Sequence, residues 1–425
     1  MMQPSLMTGA LIALLLAPGA HPVLAATQQS AAHSPPAGSA LTGRVTTSDG
    51  KPVAGADVII CYAFPKVGAS TTCPGCYTDC KRAAKTNAGG EFQFPGVART
   101  LVFDVMVARD GFVSKLVSRI DPSTPEKQIA LVSQPTLPGE DHLFRGTVTD
   151  PAGRPVAGAL VEPVSITSPN ENLVGEVPGM DRFAITNRRG EFLLASDQAS
   201  AVLGVVVSAP ALAPEAFSTL HEGTNEKLPL SLGAAIVGKL MRNGKPVANA
   251  ALGLVQVDKE VERFLGPATA TTDIHGAFQF SNVAPNQKYW IYGLMGHDGG
   301  AGSLAIQQLS VGADGSIVDL KDLKLAESQT VHGRVLLSDG QPIPNGIQIA
   351  VYRNDAWDDI HIDIRPDGSF DLEDAPSESF NLTTGIPGYK IHDAKLNDGG
   401  VSAVTVTPET RKHEVVVTMD PEKHK

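Results

Sequence analysis

Apolar and polar positions alternate with a period of two along much of this chain. Phe92-Gln93-Phe94, Phe278-Gln279-Phe280 and Phe370-Asp371-Leu372 each set two apolar side chains on one face with a polar residue between them. Ile360, Ile362 and Ile364 alternate with His361 and Asp363 in the same way. This is the pattern of an antiparallel strand with one face buried and one in water. No long helical period occurs. Asp-Gly and Asn-Gly pairs punctuate the strands and supply the positive φ that tight hairpins need. The chain has 42 glycines and 31 prolines without a collagen period, so the pattern predicts a turn-rich all-β protein.

The pattern repeats four times. One phrase runs Gly43-Arg44-Val45…Asp49-Gly50-Lys51-Pro52-Val53-Ala54-Gly55 and returns from Gly146, Gly238 and Gly333. The spacings are 103, 92 and 95 residues. A second phrase follows in each unit: Thr86-Asn87…Gly90-Glu91-Phe92, Thr186-Asn187…Gly190-Glu191-Phe192 and Thr272-Asp273…Gly276-Ala277-Phe278. In the fourth unit it becomes Ile364-Arg365…Gly368-Ser369-Phe370, without the Thr-Asp pair. Units of this size bury roughly 60–70% of their unfolded surface and can hold their own cores. Short strands with regular turns predict β-sandwiches. The expected organisation is a tandem array of four seven-stranded Ig-like sandwiches over 41–133, 143–232, 235–325 and 330–421. Short linkers limit freedom between units and favour an elongated, monomeric rod.

The composition narrows the function. The 425 residues carry a formal charge of −11 and show no basic block, which argues against nucleic acid as a partner. Residues 1–25 read as a signal peptide: an apolar run from Ala10 to Ala17, then Val23-Leu24-Ala25 with small residues before the cut. The run is far shorter than the roughly 20 residues that span a bilayer. Residues 26–40 read as a flexible lead-in. The mature protein is therefore expected to be exported, periplasmic or extracellular, and not membrane-spanning.

The two phrases resemble the carboxypeptidase regulatory-like domain, whose pattern is G-x-V-x-x-x-x-G-x-P-V-x-G followed by T-[ND]-x-x-G-x-F. The resemblance covers nearly all of 41–421 and implies transthyretin-like, seven-stranded sandwiches. In the enzymes that lend the family its name this module is an accessory, and elsewhere it occurs in surface and adhesion proteins. The motif residues are turn and core positions, so the resemblance transfers no functional residue.

The remaining candidates come from the residues themselves. Cys61, Cys73, Cys76 and Cys80 all lie in the first unit, three of them in an insertion. In an exported protein they read as disulfides, Cys61–Cys80 with Cys73–Cys76 or Cys61–Cys73 with Cys76–Cys80. A Cys₄ metal site or a redox-active Cys73-x-x-Cys76 is the alternative. Asp359, His361 and Asp363 share one strand face and form a candidate metal set, set against a solvated, charge-protected strand face. Trp357 is flanked by acids and offers a ring for a ligand such as a sugar. In Tyr289-Trp290-Ile291-Tyr292, alternation separates Trp290 and Tyr292 from Tyr289 and Ile291. Trp290 is expected in the core with Tyr292, leaving Tyr289 as the more exposed ring and a candidate contact. Gly293–Gly302 lacks phosphate-loop spacing and reads as a mobile connection.

No His-Glu-x-x-His, no His-x-x-Glu and no Gly-x-Ser-x-Gly occurs, so no catalytic residue and no cofactor is expected. The expected function is a non-enzymatic scaffold or interaction protein whose partner is an envelope or extracellular protein. The alternative is a carbohydrate-binding protein whose partner is a polysaccharide.

Overall fold

The computed structural model describes residues 40–66, 83–109, 111–124, 127–133, 139–169, 171–175, 177, 179–199, 201–296, 302–327, 329–396 and 402–422. The signal-peptide expectation, and Cys73, Cys76 and Cys80, lie outside the described residues. The architecture is all-β, with four sandwiches in series.

The first contains β1 (Ala40–Thr47), β2 (Asp57–Pro65), β3 (Ala83–Lys85), β4 (Glu91–Pro95), β5 (Leu101–Ala108), β6 (Lys115–Ile120) and β7 (Lys127–Leu131). Its sheets run β4-β1-β7 and β3-β2-β5-β6. The second contains β8 (Leu143–Thr149), β9 (Leu160–Thr167), β10 (Asn172–Val174), β11 (Ala184–Ile185), β12 (Glu191–Ala195), β13 (Val202–Ser208), β14 (Glu215–His221) and β15 (Asn225–Pro229). The third contains β16 (Ala234–Arg242), β17 (Lys245–Pro246), β18 (Ala251–Gln256), β19 (Ala268–Thr271), β20 (Ala277–Val283), β21 (Lys288–Gly293), β22 (Gln307–Ser310) and β23 (Ile317–Lys324). The fourth contains β24 (Val331–Leu337), β25 (Gln348–Tyr352), β26 (Asp359–Asp363), β27 (Ser369–Leu372), β28 (Phe380–Thr383), β29 (Tyr389–Ile391), β30 (Lys395–Leu396), β31 (Ser402–Val406) and β32 (Val415–Pro421). Seven strands thus hold for the first sandwich. The others add short edge strands such as β10, β17 and β29 to the same plan.

In every sandwich the opening strand is central to its sheet. It pairs antiparallel with the strand of the second phrase and parallel with the last strand, as β1 does with β4 and β7. The same holds for β8, β16 and β24. This pairing brings the two sequence phrases together. Gly43 sits opposite Phe92, Gly146 opposite Phe192, Gly238 opposite Phe278 and Gly333 opposite Phe370. A Cβ at these glycines would come within 2.4, 2.5, 2.7 and 2.1 Å of the ring. The glycine is therefore required by close approach of the phenylalanine, which fills the core between the sheets.

A second contact ties the phrases in the first three units. The buried Thr86 hydroxyl donates to Val53 O at 2.7 Å and accepts the Ala56 N–H at 2.8 Å. Thr186 does the same with Val156 O and Ala159 N–H. Thr272 accepts the Ala250 N–H at 2.9 Å. In the fourth unit Ile364 replaces the threonine and joins the apolar core instead. Four separate cores result, one per sandwich.

Candidate functional site

The chemistry of the molecule is concentrated at its joints. β18 and β21 are buried on both faces. Leu252, Leu254, Tyr289 and Ile291 point into the core of the third sandwich. Val255 and Tyr292 point the other way and are also buried, in a cluster with Ala356 of the fourth sandwich and the half-buried Phe264, Trp290 and Leu294. The Tyr292 ring packs against Gly253, where a Cβ would sit 2.3 Å from it. Met295 continues past β21 and buries its side chain in the core of the fourth sandwich.

An ionic cluster completes this joint. The Arg353 side chain is 1% exposed. Its Nη2 donates to Asp358 Oδ2 at 2.5 Å and to Gly293 O of the third sandwich at 2.7 Å. Its Nε donates to Asp358 Oδ1 at 3.3 Å and its Nη1 to Glu378 Oε1 at 3.0 Å. The guanidinium carbon lies 5.4 Å from the Tyr292 ring centroid. Asp358 also accepts the Met295 N–H at 2.9 Å, so both charges bond across the joint. A buried charge pair is tolerated only when its remaining donors and acceptors are satisfied in this way.

Trp357 sits at the rim. It is 51% exposed, and its ring packs 4.6 Å from Phe264 of the third sandwich. Lys259 Nζ lies 5.7 Å from the ring centroid and donates to Asn354 O at 2.8 Å and Ala356 O at 3.3 Å. Burial pushes the Lys259 ammonium below its ordinary range, against the pull of Asp355.

Two expectations are corrected here. Tyr289 is 5% exposed and belongs to the core, so its ring offers no stacking face. Its hydroxyl donates to Ala284 O at 3.1 Å, and burial, then the nearby Glu215, pushes it well up. Trp290 and Tyr292 face the joint instead. Alternation divided the four residues correctly, but both faces are covered and the pattern cannot tell core from joint. Gly293 and Met295, at the start of the expected mobile connection Gly293–Gly302, are held by Arg353 and Asp358; residues 297–301 of it lie outside the described residues.

Asp359, His361 and Asp363 lie on one face of the edge strand β26, with Asp359 and His361 exposed and 3.6 Å apart between Oδ2 and Nδ1. Among the described residues no group of three or more His, Cys, Asp or Glu is placed to hold a metal. Cys61 lies on β2; its three candidate partners lie outside the described residues. Arg353 and Asp358 were not foreseen as a pair. The signal available was an arginine directly after an apolar strand and five residues before an acid in a run of acids.

The first joint is built differently. Met106 and Ala108 on the outer face of β5 pack against Leu160 and Phe183 of the second sandwich, flanked by Leu116 and Ile185. The Ser114 hydroxyl donates across it to Phe183 O at 3.2 Å. At the second joint Gly233, at positive φ, donates its N–H to Asp314 at 2.6 Å, and Asn282 Nδ2 donates to Leu232 O at 2.8 Å. No helix among the described residues is long and apolar enough to cross a membrane.

No family model matches this sequence, and no curated protein matches it. Among solved structures, the Bacillus anthracis TIE protein aligns over 89% of this chain and 72% of its own, at 10% identity and a TM-score of 0.20. A streptococcal ancillary pilin aligns over 66% of this chain and 100% of its own, at 10% identity and a TM-score of 0.22. BcpA, the major pilin subunit of Bacillus cereus, aligns over 68% and 99%, at 11% identity and a TM-score of 0.19. At these values the likenesses carry no argument about this chain, and its fold rests on its own sheets.

Proposed function

We propose that this chain is an exported, non-enzymatic scaffold or interaction protein acting in the cell envelope or outside the cell. We assign its units, over 41–133, 143–232, 235–325 and 330–421, to the carboxypeptidase regulatory-like type. The observation that carries the scaffold reading is the joint between the third and fourth sandwiches, where Arg353, Asp358, Tyr292 and Met295 lock one unit to the next. Buried charge and aromatic area spent on fixing two modules together suit a spacer that holds a shape. Envelope or extracellular proteins are the partners such a rod would present or bridge.

Small-angle scattering on the mature chain tests this. The expected profile is that of a stiff monomeric rod, unchanged between dilute and concentrated samples. A profile of independently tumbling units would overturn it.

The half-exposed Trp357 favours a second function, polysaccharide binding at the rim of that joint, since Phe264 and Lys259 hold the ring while about half of the residue stays in water. Native gels containing neutral and acidic polysaccharides separate the two. Retardation that Trp357→Ala abolishes supports binding there; no retardation on any glycan leaves the scaffold alone.

A further inference from the structure

A cleft of about 1120 Å³ lies between the first and second sandwiches, beside the apolar joint. Its size suits a ligand rather than a single water or ion. One wall is the start of β2 and the end of β3 with the turn after β5, and carries Asp57, Lys85, Arg109 and Phe112. The other is the β11–β12 edge, with Asp181, Asn187, Arg188 and Glu191, joined by Arg145 and Asn225. The packing of Met106 and Ala108 on Leu160 and Phe183 fixes the walls relative to each other. Such a cleft needs little reordering to bind.

The charges inside it are unevenly matched. Lys85 pairs with Asp57, and Arg145 with Glu140. Glu191 is taken by Arg189, at 2.7 Å, and by Asn187. Asp181 is largely buried, accepts the Ala195 N–H at 2.9 Å, and is held above its ordinary range by that burial. Among the described residues the Arg109 side chain donates to Gly55 O alone, at 3.3 Å. Neither Arg109 nor Arg188 has a carboxylate partner among the described residues. In a chain of formal charge −11, two exposed guanidinium forks without carboxylates face one cleft. Guanidinium forks match carboxylates two bonds at a time.

The β12 side of the cleft disfavours a peptide added as a strand. The outer edge of β12 is already used at both ends: Asn187 N–H bonds Glu191 O, and Asp181 N–H bonds Ala195 O. Among the described residues Leu193 alone is left between them, too little for strand addition. Side-chain amides, guanidinium forks and the half-buried Phe112 remain. This set suits the hydroxyls, carboxylates and apolar ring faces of sugars.

We propose that the cleft between the first and second sandwiches binds an acidic polysaccharide, with Arg109 and Arg188 bonding the carboxylates of uronate residues. This goes beyond the scaffold function and is independent of Trp357.

The test is affinity electrophoresis of the full mature chain in polygalacturonate, with fully methyl-esterified polygalacturonate and poly-glutamate in parallel gels. The chain, the Arg109→Gln/Arg188→Gln variant and Trp357→Ala are run together, and circular dichroism melts check that each is folded. The expected result is retardation by polygalacturonate alone, weakened at least tenfold in the double variant, retained in Trp357→Ala, and falling with salt. Four results overturn the proposal. They are no retardation, equal retardation of the double variant, equal retardation by poly-glutamate, and loss in Trp357→Ala with retention in the double variant. The last supports the rim site instead.

Discussion

Arg353 and Asp358 form a two-point ion pair whose side chains are 1% and 7% exposed, and each also bonds a backbone group of the preceding sandwich. The pair is local in sequence, but beside the Arg353 bond to Glu378 in its own sandwich it bonds Gly293 O and the Met295 N–H across the joint. Contact with the third sandwich therefore supplies part of what satisfies this buried pair, which ties the joint to the fold of both.

Removing Arg353 leaves the Asp358 carboxylate buried without its cation. Arg353→Ala is expected to destabilise the fourth sandwich by about 3–5 kcal/mol, the usual cost of a broken buried pair. Amide exchange should rise at Gly293–Met295 as well as within 349–382, while 41–131 keeps its protection. Confinement of the change to the fourth sandwich would show that the joint is not coupled. Arg353→Lys should recover little, because lysine has no planar fork.

The glycine–phenylalanine contact gives a graded series. Gly333→Ala and Gly238→Ala place a Cβ 2.1 and 2.7 Å from the opposing ring. Overpacking of this kind costs about 1–3 kcal/mol, and Gly333→Ala should cost more. Phe370→Leu added to Gly333→Ala should restore part of the loss in denaturant titrations, because the added methyl then meets a smaller side chain. Strict additivity of the two substitutions would count against the contact.

Thr186→Val keeps shape and removes the hydroxyl that bonds Val156 O and Ala159 N–H. Leaving those groups unpaired should cost about 1–3 kcal/mol. The melting transition of the second sandwich is the measurement, and an unshifted transition would mean that water replaces the hydroxyl.

His392 provides a pH dependence. Its Nδ1 lies 2.6 Å from Asp420 Oδ2 and its Nε2 3.2 Å from Asp393. Asp420 first, then Asp393, holds the imidazole above its ordinary range, and His392 holds Asp420 below the usual carboxylate range. The imidazole's contribution to stability is full below its unfolded pKa of about 6.5 and is lost as pH rises through the raised folded value. The carboxylate's contribution is present above about 3.9 and is lost as pH falls through its lowered value. Stability from this pair should therefore peak in mildly acidic solution. NMR titration should show His392 titrating above 6.5 in the native chain and nearer to it in Asp420→Asn.

The four cysteines should form two disulfides once the chain is exported. Thiol titration of the denatured, unreduced protein is expected to find no free thiol, and peptide mapping will choose between the two pairings. Free thiols that bind zinc would favour the metal alternative.

Much of this fold is written in short-range pattern. Asp-Gly and Asn-Gly mark the hairpins, Phe-x-Phe marks the half-buried strand, and their recurrence from Gly43 to Gly333 marks four units. These signals survive in sequence because they depend on backbone angles and period, which neighbouring residues set. Which residues meet was not legible in the same way. That Gly43 must be glycine follows from Phe92, forty-nine positions away, and only strand pairing puts them together.

The joints were least legible of all. Alternation in Tyr289-Trp290-Ile291-Tyr292 fixed two faces, and the sequence by itself determined no more than that. The tertiary structure decided that Tyr289 enters the core and Tyr292 meets Arg353, because a second sandwich covers the face that would otherwise be wet. Likewise Asp358 stands in sequence among other acids, and only packing removes its water and gives it Arg353 and the Met295 N–H instead. Period and turn chemistry are local properties and so are encoded locally. Burial on a second face depends on what docks there, and that is settled only when whole sandwiches pack.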